Sequence, residues 1–312
     1  MPESELNIVV FAFKRPDNLS RCIEALKENE FSKTSQLVIC IDGPKAGASE
    51  RDLNGYQSTI QVANRVQGFK KVTVLVNENN MGLIAQFFSK FDLLFTMADQ
   101  WVVVEDDIIV GRFFLDYMNE AFKRFGYTPG ISLIHAYTYF ISSFKKQKSS
   151  FFVVGSGNKA FGITKTSWQN VERSAEFYVE LEHNKDLKKQ LINENVDYKR
   201  LNIEEIKSDK IKAWDVILFM NAQEKKLLCL SPDFTLAQDS GWSQTDSSNT
   251  FGENIFDTTA FDPNYQVKFF PTEVVPDKEK EKQIRIYFQY TLRFKYWRSK
   301  LRTSLKKLGL AK

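Results

Sequence analysis

The first 110 residues alternate short apolar runs with longer amphipathic stretches, which restricts the chain to a sheet of mostly parallel strands joined by crossover helices. Asn7 to Phe13 reads as the first strand, and Pro16 and Asp17 then open a helix with Leu19, Cys22, Ile23 and Leu26 on one face. Gln36 to Ile41 reads as the second strand, closed by the turn Asp42-Gly43-Pro44. Val72 to Val76 reads as the third, followed by a helix through Leu83, Phe87, Phe91 and Leu94. Trp101 to Val104 is the fourth and runs into Glu105-Asp106-Asp107. In sheets of this kind ligands sit at the carboxyl edge of the strands. Each strand here ends in polar residues, namely Lys14-Arg15, Asp42-Gly43, Asn77 to Asn80 and the acidic triplet, so the site is expected at that edge.

The second half is less regular. Phe151 to Phe161 holds glycines among apolar residues, and Lys165 begins a helix. Glu176 to Lys212 is strongly charged and reads as exposed helices. Ala213-Trp214-Asp215 leads into a helix with Ile217, Leu218 and Ala222, and Leu227 to Leu230 forms a late strand. Gln238 to Asn254 reads as a long polar loop.

Composition removes several classes of chemistry. The chain's 27 Phe against 5 Trp indicate packing. Cys22, Cys40 and Cys229 lie far apart in apolar settings and read as reduced core residues. With only His135 and His183 in the chain, a Cys–His nucleophile pair and a His/Cys zinc site are both disfavoured. Met1-Pro2-Glu3-Ser4-Glu5 lacks the order of a secretory signal, and no apolar run approaches the roughly 20 residues that span a bilayer. A cytoplasmic protein is expected, with peripheral attachment to the inner face of the membrane as a further expectation.

Glu105-Asp106-Asp107 carries the sharpest chemical signal. Three consecutive acids between apolar runs cost electrostatic energy unless a cation or donor groups neutralise them. An all-oxygen set suits Mg2+ or Mn2+, which bind through one or two carboxylates together with substrate phosphates. The competing reading is a helix start, with Asp106 or Asp107 capping a helix that runs on toward Arg112 and Tyr117.

In order along residues 7 to 255 stand Arg15, Asp42, Asn80-Met81-Gly82-Leu83, Glu105-Asp106-Asp107, a Gly-rich segment ending Phe161-Gly162, Trp214-Asp215, and Cys229-Leu230-Ser231-Pro232. In this the chain resembles the GT-A nucleotide-sugar glycosyltransferases, and among them the N-acetylglucosaminyltransferase I type and family 2-like bacterial enzymes. The resemblance implies an α/β, GT-A (Rossmann-like) mixed and mostly parallel sheet flanked by helices. It places a glycosyltransferase domain over 1–275, with a nucleotide-binding half at about 1–110 and an acceptor half at about 111–275. It further implies that Arg15 and Asp42 contact the nucleotide, that Asn80 and Gly82 lie beside donor sugar and ribose, and that Asp107 holds Mn2+ or Mg2+. Glu105 and Asp106 would hold ribose, donor sugar or metal-bound water. Asp215 would be the general base of an inverting transfer from a nucleotide diphosphate sugar, favouring UDP, to a hydroxyl of a glycan or lipid-linked acceptor. Asp215 equally reads as a helix cap, Arg15 as a solvated helix-start charge, Asp42 as an ordinary turn Asp and Gly82 as a cap-region turn. The His that many GT-A enzymes supply from the late loop is missing between Gln238 and Asn254. Either Asp239 or Asp246 replaces it, or Asp107 is the sole protein ligand.

Residues 276–312 form a separate feature, a basic amphipathic helix. From Arg285 to Lys312 there are nine Lys or Arg and no acid, while the rest of the chain holds 34 basic against 39 acidic residues, net −5. Tyr290, Phe294, Trp297, Leu301, Leu305 and Leu308 recur every three or four positions. That pattern fits an in-plane anchor on an anionic membrane surface, or self-association or packing through residues 290–308. The acidic body argues against nucleic acid as a partner of Lys14-Arg15 and Trp242.

Two alternatives share the sheet. A sugar-1-phosphate nucleotidyltransferase would carry a Gly-rich phosphate loop after the first strand, whereas Ala12 to Pro16 contains no Gly. A non-catalytic nucleotide-sugar or glycan-binding scaffold would keep the fold without the reaction.

Overall fold

The computed structural model describes residues 5–138, 146–155, 159–174, 183–186, 214–241 and 261–292, together with Phe294, Trp297, Arg298 and Leu301. Four strands, β1 (Asn7–Ala12), β2 (Gln36–Ile41), β3 (Lys71–Val76) and β4 (Gln100–Glu105), pair in parallel in the order β3-β2-β1-β4. A short β5 (Ile108–Val110) follows, then β6 (Ile131–His135), β7 (Ser150–Val154), β8 (Ala160–Thr164), β9 (Leu228–Pro232) and β10 (Ala237–Asp239). The sheet continues from β4 as β8-β6-β9-β7, with β8 and β7 antiparallel to their neighbours. Strands β5 and β10 form a separate antiparallel pair. The fold is therefore an α/β, Rossmann-like one with a mixed, mostly parallel sheet.

The helices are α1 (Pro16–Lys27), α2 (Glu50–Asn64), α3 (Leu83–Met97), α4 (Phe114–Phe125), α5 (Lys165–Gln169), α6 (Trp214–Glu224) and α7 (Lys278–Ile286). They cover both faces of the sheet. Ile8, Val10 and Ala12 of β1 pack with Leu19, Cys22, Ile23 and Leu26 of α1 and Phe114, Met118 and Phe122 of α4. The intervening Val9 and Phe11 pack with Phe87, Phe91 and Leu94 of α3, and with Trp101, Trp168 and Trp214. Alternate residues of one strand thus feed two cores, which is why the run reads as continuously apolar instead of alternating. At about 25 cal/mol per Å², burying each such side chain contributes roughly 1.5–3 kcal/mol.

Expected strands and helices of the first half stand within a residue or two of their expected bounds, with α2, β5, α4 and β6 as additions. The helix-start reading of the acidic triplet is wrong. Glu105 ends β4, Asp106 and Asp107 form a tight turn, β5 follows, and the next helix begins only at Phe114. The apolar Ile108-Ile109-Val110 pairs as a strand with Ala237–Asp239, so the expected polar loop from Gln238 begins as a strand instead. Most of that loop, including Asp246, and most of the charged stretch 176–212 lie outside the described residues. All three cysteines are free and buried, as expected. Among the described residues no helix is long and apolar enough to cross a membrane.

Candidate active site at the carboxyl edge of the sheet

Register brings the polar strand ends together. Ala12 stands opposite Ile41, Ile41 opposite Val76, and Phe11 opposite Glu105, so the residues after β1, β2, β3 and β4 emerge side by side. The ladder carries one residue further through Asp42 N–H to Ala12 O, Asn77 N–H to Ile41 O and Asp106 N–H to Phe11 O, at 3.0–3.1 Å.

Arg15, just before α1, lies across the acids. Its guanidinium donates to both carboxylate oxygens of Asp106 and, at 2.8 Å, to Asp107 Oδ2. Asp106 is 1% exposed. Burial pushes its carboxyl upward while the Arg15 charge pulls it back, and the same acids raise Arg15 above its ordinary range against burial. Sequence reasoning expected an outside cation to make the triplet tolerable; the structure shows that Arg15 already neutralises two of its members. Glu105 makes no ion pair of this kind among the described residues, although the Arg15 charge acts on it from a distance. Its Oε1 accepts only a long 3.4 Å contact from Trp214 Nε1 among the hydrogen bonds observed, and burial, followed by the nearby Asp107 and Asp215 charges, pushes its pKa up to about 8.

Asp215 sits in the first turn of α6 and not at its cap, since the helix begins at Trp214. The Trp214 ring stacks on Phe87 of α3, centroids 4.1 Å apart and nearly coplanar. This stack pins the start of α6 against α3 and brings Asp215 into electrostatic range of Glu105.

Asp42 occupies the expected edge, and its carboxylate is filled by the protein itself. It accepts from Gly43 N–H, Asn77 Nδ2, Asn80 Nδ2, Met81 N–H and Gly82 N–H at 2.9–3.1 Å. Asn80 Nδ2 also donates to Gly43 O. Five donors on a carboxylate with about four lone-pair positions make Asp42 the clamp of the 77–82 loop. Gly82 turns into α3 at φ +80°, a conformation glycine adopts without strain. Gly43 is held by contact, because a Cβ there would lie 2.3 Å from the carbonyl carbon of Asn79.

Lys159, Tyr137, Ser240 and Gly241 at this edge were not singled out by sequence reasoning, and Asp239 only as an alternative. The β4–β8 register sets Ala160 opposite Val104, so Lys159 falls beside the acidic turn. Its ammonium pairs with Asp239 and lies 4.5 Å from the Tyr137 ring centroid, on a backbone held at φ +76°. Asp239 reaches the site because β10 pairs Asp239 with Ile108, directly after Asp107. Ser240 N–H and Oγ donate to Asp107 O at 2.9 and 2.8 Å, and Gly241 closes over the turn. A Cβ on Gly241 would lie 2.4 Å from Asp107 Oδ2 and 3.2 Å from Asp239 Oδ1. The long-range pairing that assembles this corner leaves no local signature in the sequence.

The convergence of two carboxylates on that point fits a hard cation held by one or two protein oxygens, with its remaining ligands from phosphate and water. It does not fit an all-protein cage: among the described residues no group of three or more His, Cys, Asp or Glu is arranged to hold a metal. Both carboxylates meanwhile have protein cations, Arg15 and Lys159.

Fold and site together define a helix-flanked α/β protein with an acidic, cation-bridged cluster at the carboxyl edge of its sheet. No protein-family model matches the chain, and no curated protein matches it. Solved structures resemble it in part. A mannosyltransferase from Pyrobaculum calidifontis, solved with GDP-Man and Mn2+, aligns at 8% identity and a TM-score of 0.36, covering 52% of this chain and 44% of that one. The galactosyltransferase LgtC, with donor and acceptor sugar analogues, aligns at 13% identity and a TM-score of 0.34, covering 58% and 66%. A cytidylyltransferase from Leptospira borgpetersenii aligns at 14% identity and a TM-score of 0.32, covering 58% and 72%. The chain therefore spans under half of the mannosyltransferase and about two thirds of LgtC. Overlap at this level carries no argument about activity.

Proposed function

We propose that this protein is a GT-A-type glycosyltransferase that moves a sugar, with inversion, from a nucleotide diphosphate donor to an acceptor hydroxyl. The observation that carries the proposal is the meeting of Arg15, Glu105, Asp106, Asp107 and Asp215 at one sheet edge, from β1, β4 and α6. The donor's nucleotide lies over β1 to β3, beside the loop that Asp42 and Asn80 hold and that Gly82 turns into α3. Arg15 trades part of its pairing with Asp106 and Asp107 for oxygens of the donor diphosphate, for which its planar fork is suited. Asp107 holds Mn2+ or Mg2+, with Asp239 beside it. When bound, such an ion supplies Lewis-acid stabilisation of the departing diphosphate. Glu105 and Asp106 orient the donor's hydroxyls.

Asp215 takes the proton of the acceptor hydroxyl as its oxygen bonds to the anomeric carbon. The anomeric carbon to phosphate-oxygen bond breaks on the opposite side, and the nucleoside diphosphate leaves with the electron pair. A UDP-sugar donor and a glycan or lipid-linked acceptor, as in surface polysaccharide assembly, follow from the family resemblance. Because Arg15 and Lys159 neutralise the acids from within, a non-catalytic binding protein of the same fold is the second reading.

Incubation with UDP- and GDP-sugars, Mn2+ and a panel of glycan acceptors tests the proposal. Release of nucleoside diphosphate with acceptor glycosylation is expected. Release of pyrophosphate from a nucleoside triphosphate and a sugar phosphate would identify a nucleotidyltransferase, and donor binding without turnover would favour the binding protein.

A further inference from the structure

Helix α7 is anchored at the sheet's end strand. Asp277 N–H donates to Phe152 O at 2.7 Å, Glu281 Oε1 accepts from Val154 N–H at 3.0 Å, and Lys280 lies 5.2 Å from the Phe151 ring centroid. Tyr287, the first residue past α7, is 4% exposed. At that point the helix widens into a π-helical stretch, Tyr287–Leu292, and such a stretch shifts the angular register of whatever follows. Beyond the anchor, five apolar residues among those described face solvent. Ile286 is 47%, Tyr290 69%, Phe294 68%, Trp297 68% and Leu301 62% exposed. At spacings of four, four, three and four they share one helical stripe, with Arg285 and Arg298 exposed beside it.

These exposures remove one reading of the sequence, because a helix packed on its own domain would bury this stripe. We infer that the stripe of Ile286, Tyr290, Phe294, Trp297 and Leu301 is a docking surface for the headgroup region of an anionic lipid bilayer. Charge complementarity selects that occupant. Residues 285–312 hold nine Lys or Arg and no acid, so pairing two copies side by side would set like charges together, whereas an anionic leaflet attracts every one. The apolar residues are of the right kind, since Trp and Tyr settle at the membrane interface with one end apolar and the other wet. The stripe is too short and too interrupted by charge to span. It starts beside the sheet's end strand, away from the acid cluster: β7 lies four strands from β4, about 19 Å at ~4.8 Å per strand. This inference stands whether or not the acid cluster catalyses glycosyl transfer.

Flotation of the full chain with vesicles of phosphatidylcholine alone, or mixed with phosphatidylserine or phosphatidylglycerol, tests it. Binding is expected to the anionic vesicles only, and to weaken as salt is raised. The double variant Phe294→Ser, Trp297→Ser removes two exposed rings without touching the core, so its circular dichroism and melting temperature should match the parent while vesicle affinity falls at least about tenfold. Absence of binding to anionic vesicles would overturn the inference. So would a concentration-dependent dimer in sedimentation that the same variant abolishes while vesicle binding stays unchanged, which would assign the stripe to self-association.

Discussion

At the level of single residues, Asp215 and Glu105 are both half-buried, Asp215 at the start of α6 and Glu105 at the end of β4, between Trp214 and the acidic turn. If Asp215 accepts the acceptor's proton, Asp215→Asn keeps its shape and its donor binding but loses the base. Turnover should fall by a factor on the order of 10²–10⁴ with little change in nucleotide affinity, as steady-state kinetics and calorimetry on the same variant would read. Equal loss of affinity and turnover would place Asp215 in binding instead. Glu105 gives a prediction about stability. Its pKa rises from an ordinary value near 4.5 to about 8 in the fold. Between those values the folded chain keeps a proton that the unfolded chain has released, so the stability of the metal-free protein is full below the lower value and declines as pH rises toward the higher one. Glu105→Gln has no proton to lose there, and melting curves across that range should flatten and lie above the parent's at the alkaline end. An unchanged slope would show that Glu105 is not the group responsible.

Among the elements, the loop from Asn77 to Gly82 depends on one side chain from another strand end. Asp42→Ala leaves five donors without their acceptor and should cost about 3 kcal/mol, a drop of roughly 5 °C in melting temperature. Asp42→Asn retains an acceptor oxygen and should lose less, and nucleotide affinity should fall with the loop's order in both. A melt unchanged in Asp42→Ala would show that the loop is held by other means. The strands and helices that deliver these side chains were legible in sequence because burial on both faces makes β1, β2 and β4 continuously apolar, while α1 and α3 repeat their apolar residues at helical spacing. Helix α2 was not, since few of its residues are apolar and only Thr59 and Ala63 are buried. The acids were legible as a cluster, but their neutralisation was not. Arg15 reaches Asp106 and Asp107 across more than ninety positions of chain, and Lys159 meets Asp239 through the separate pairings of β8 with β4 and β10 with β5. Contacts of that separation are made by topology, which no local pattern encodes.

Across the whole molecule, two charge systems are separate: a body of net −5 that carries the acidic turn at the carboxyl edge of its sheet, and a basic C-terminal sequence that begins past α7, beside the end strand β7. The acidic turn, bridged by Arg15 in the metal-free protein, should accept a divalent ion together with a diphosphate. The most direct test is calorimetric titration of UDP and of GDP into the protein with and without Mn2+, repeated on Asp107→Asn. One nucleotide should bind only when Mn2+ is present, and Asp107→Asn should abolish that metal-dependent binding while remaining folded. No binding of either nucleotide with Mn2+, or binding that neither the ion nor Asp107→Asn alters, would contradict this expectation.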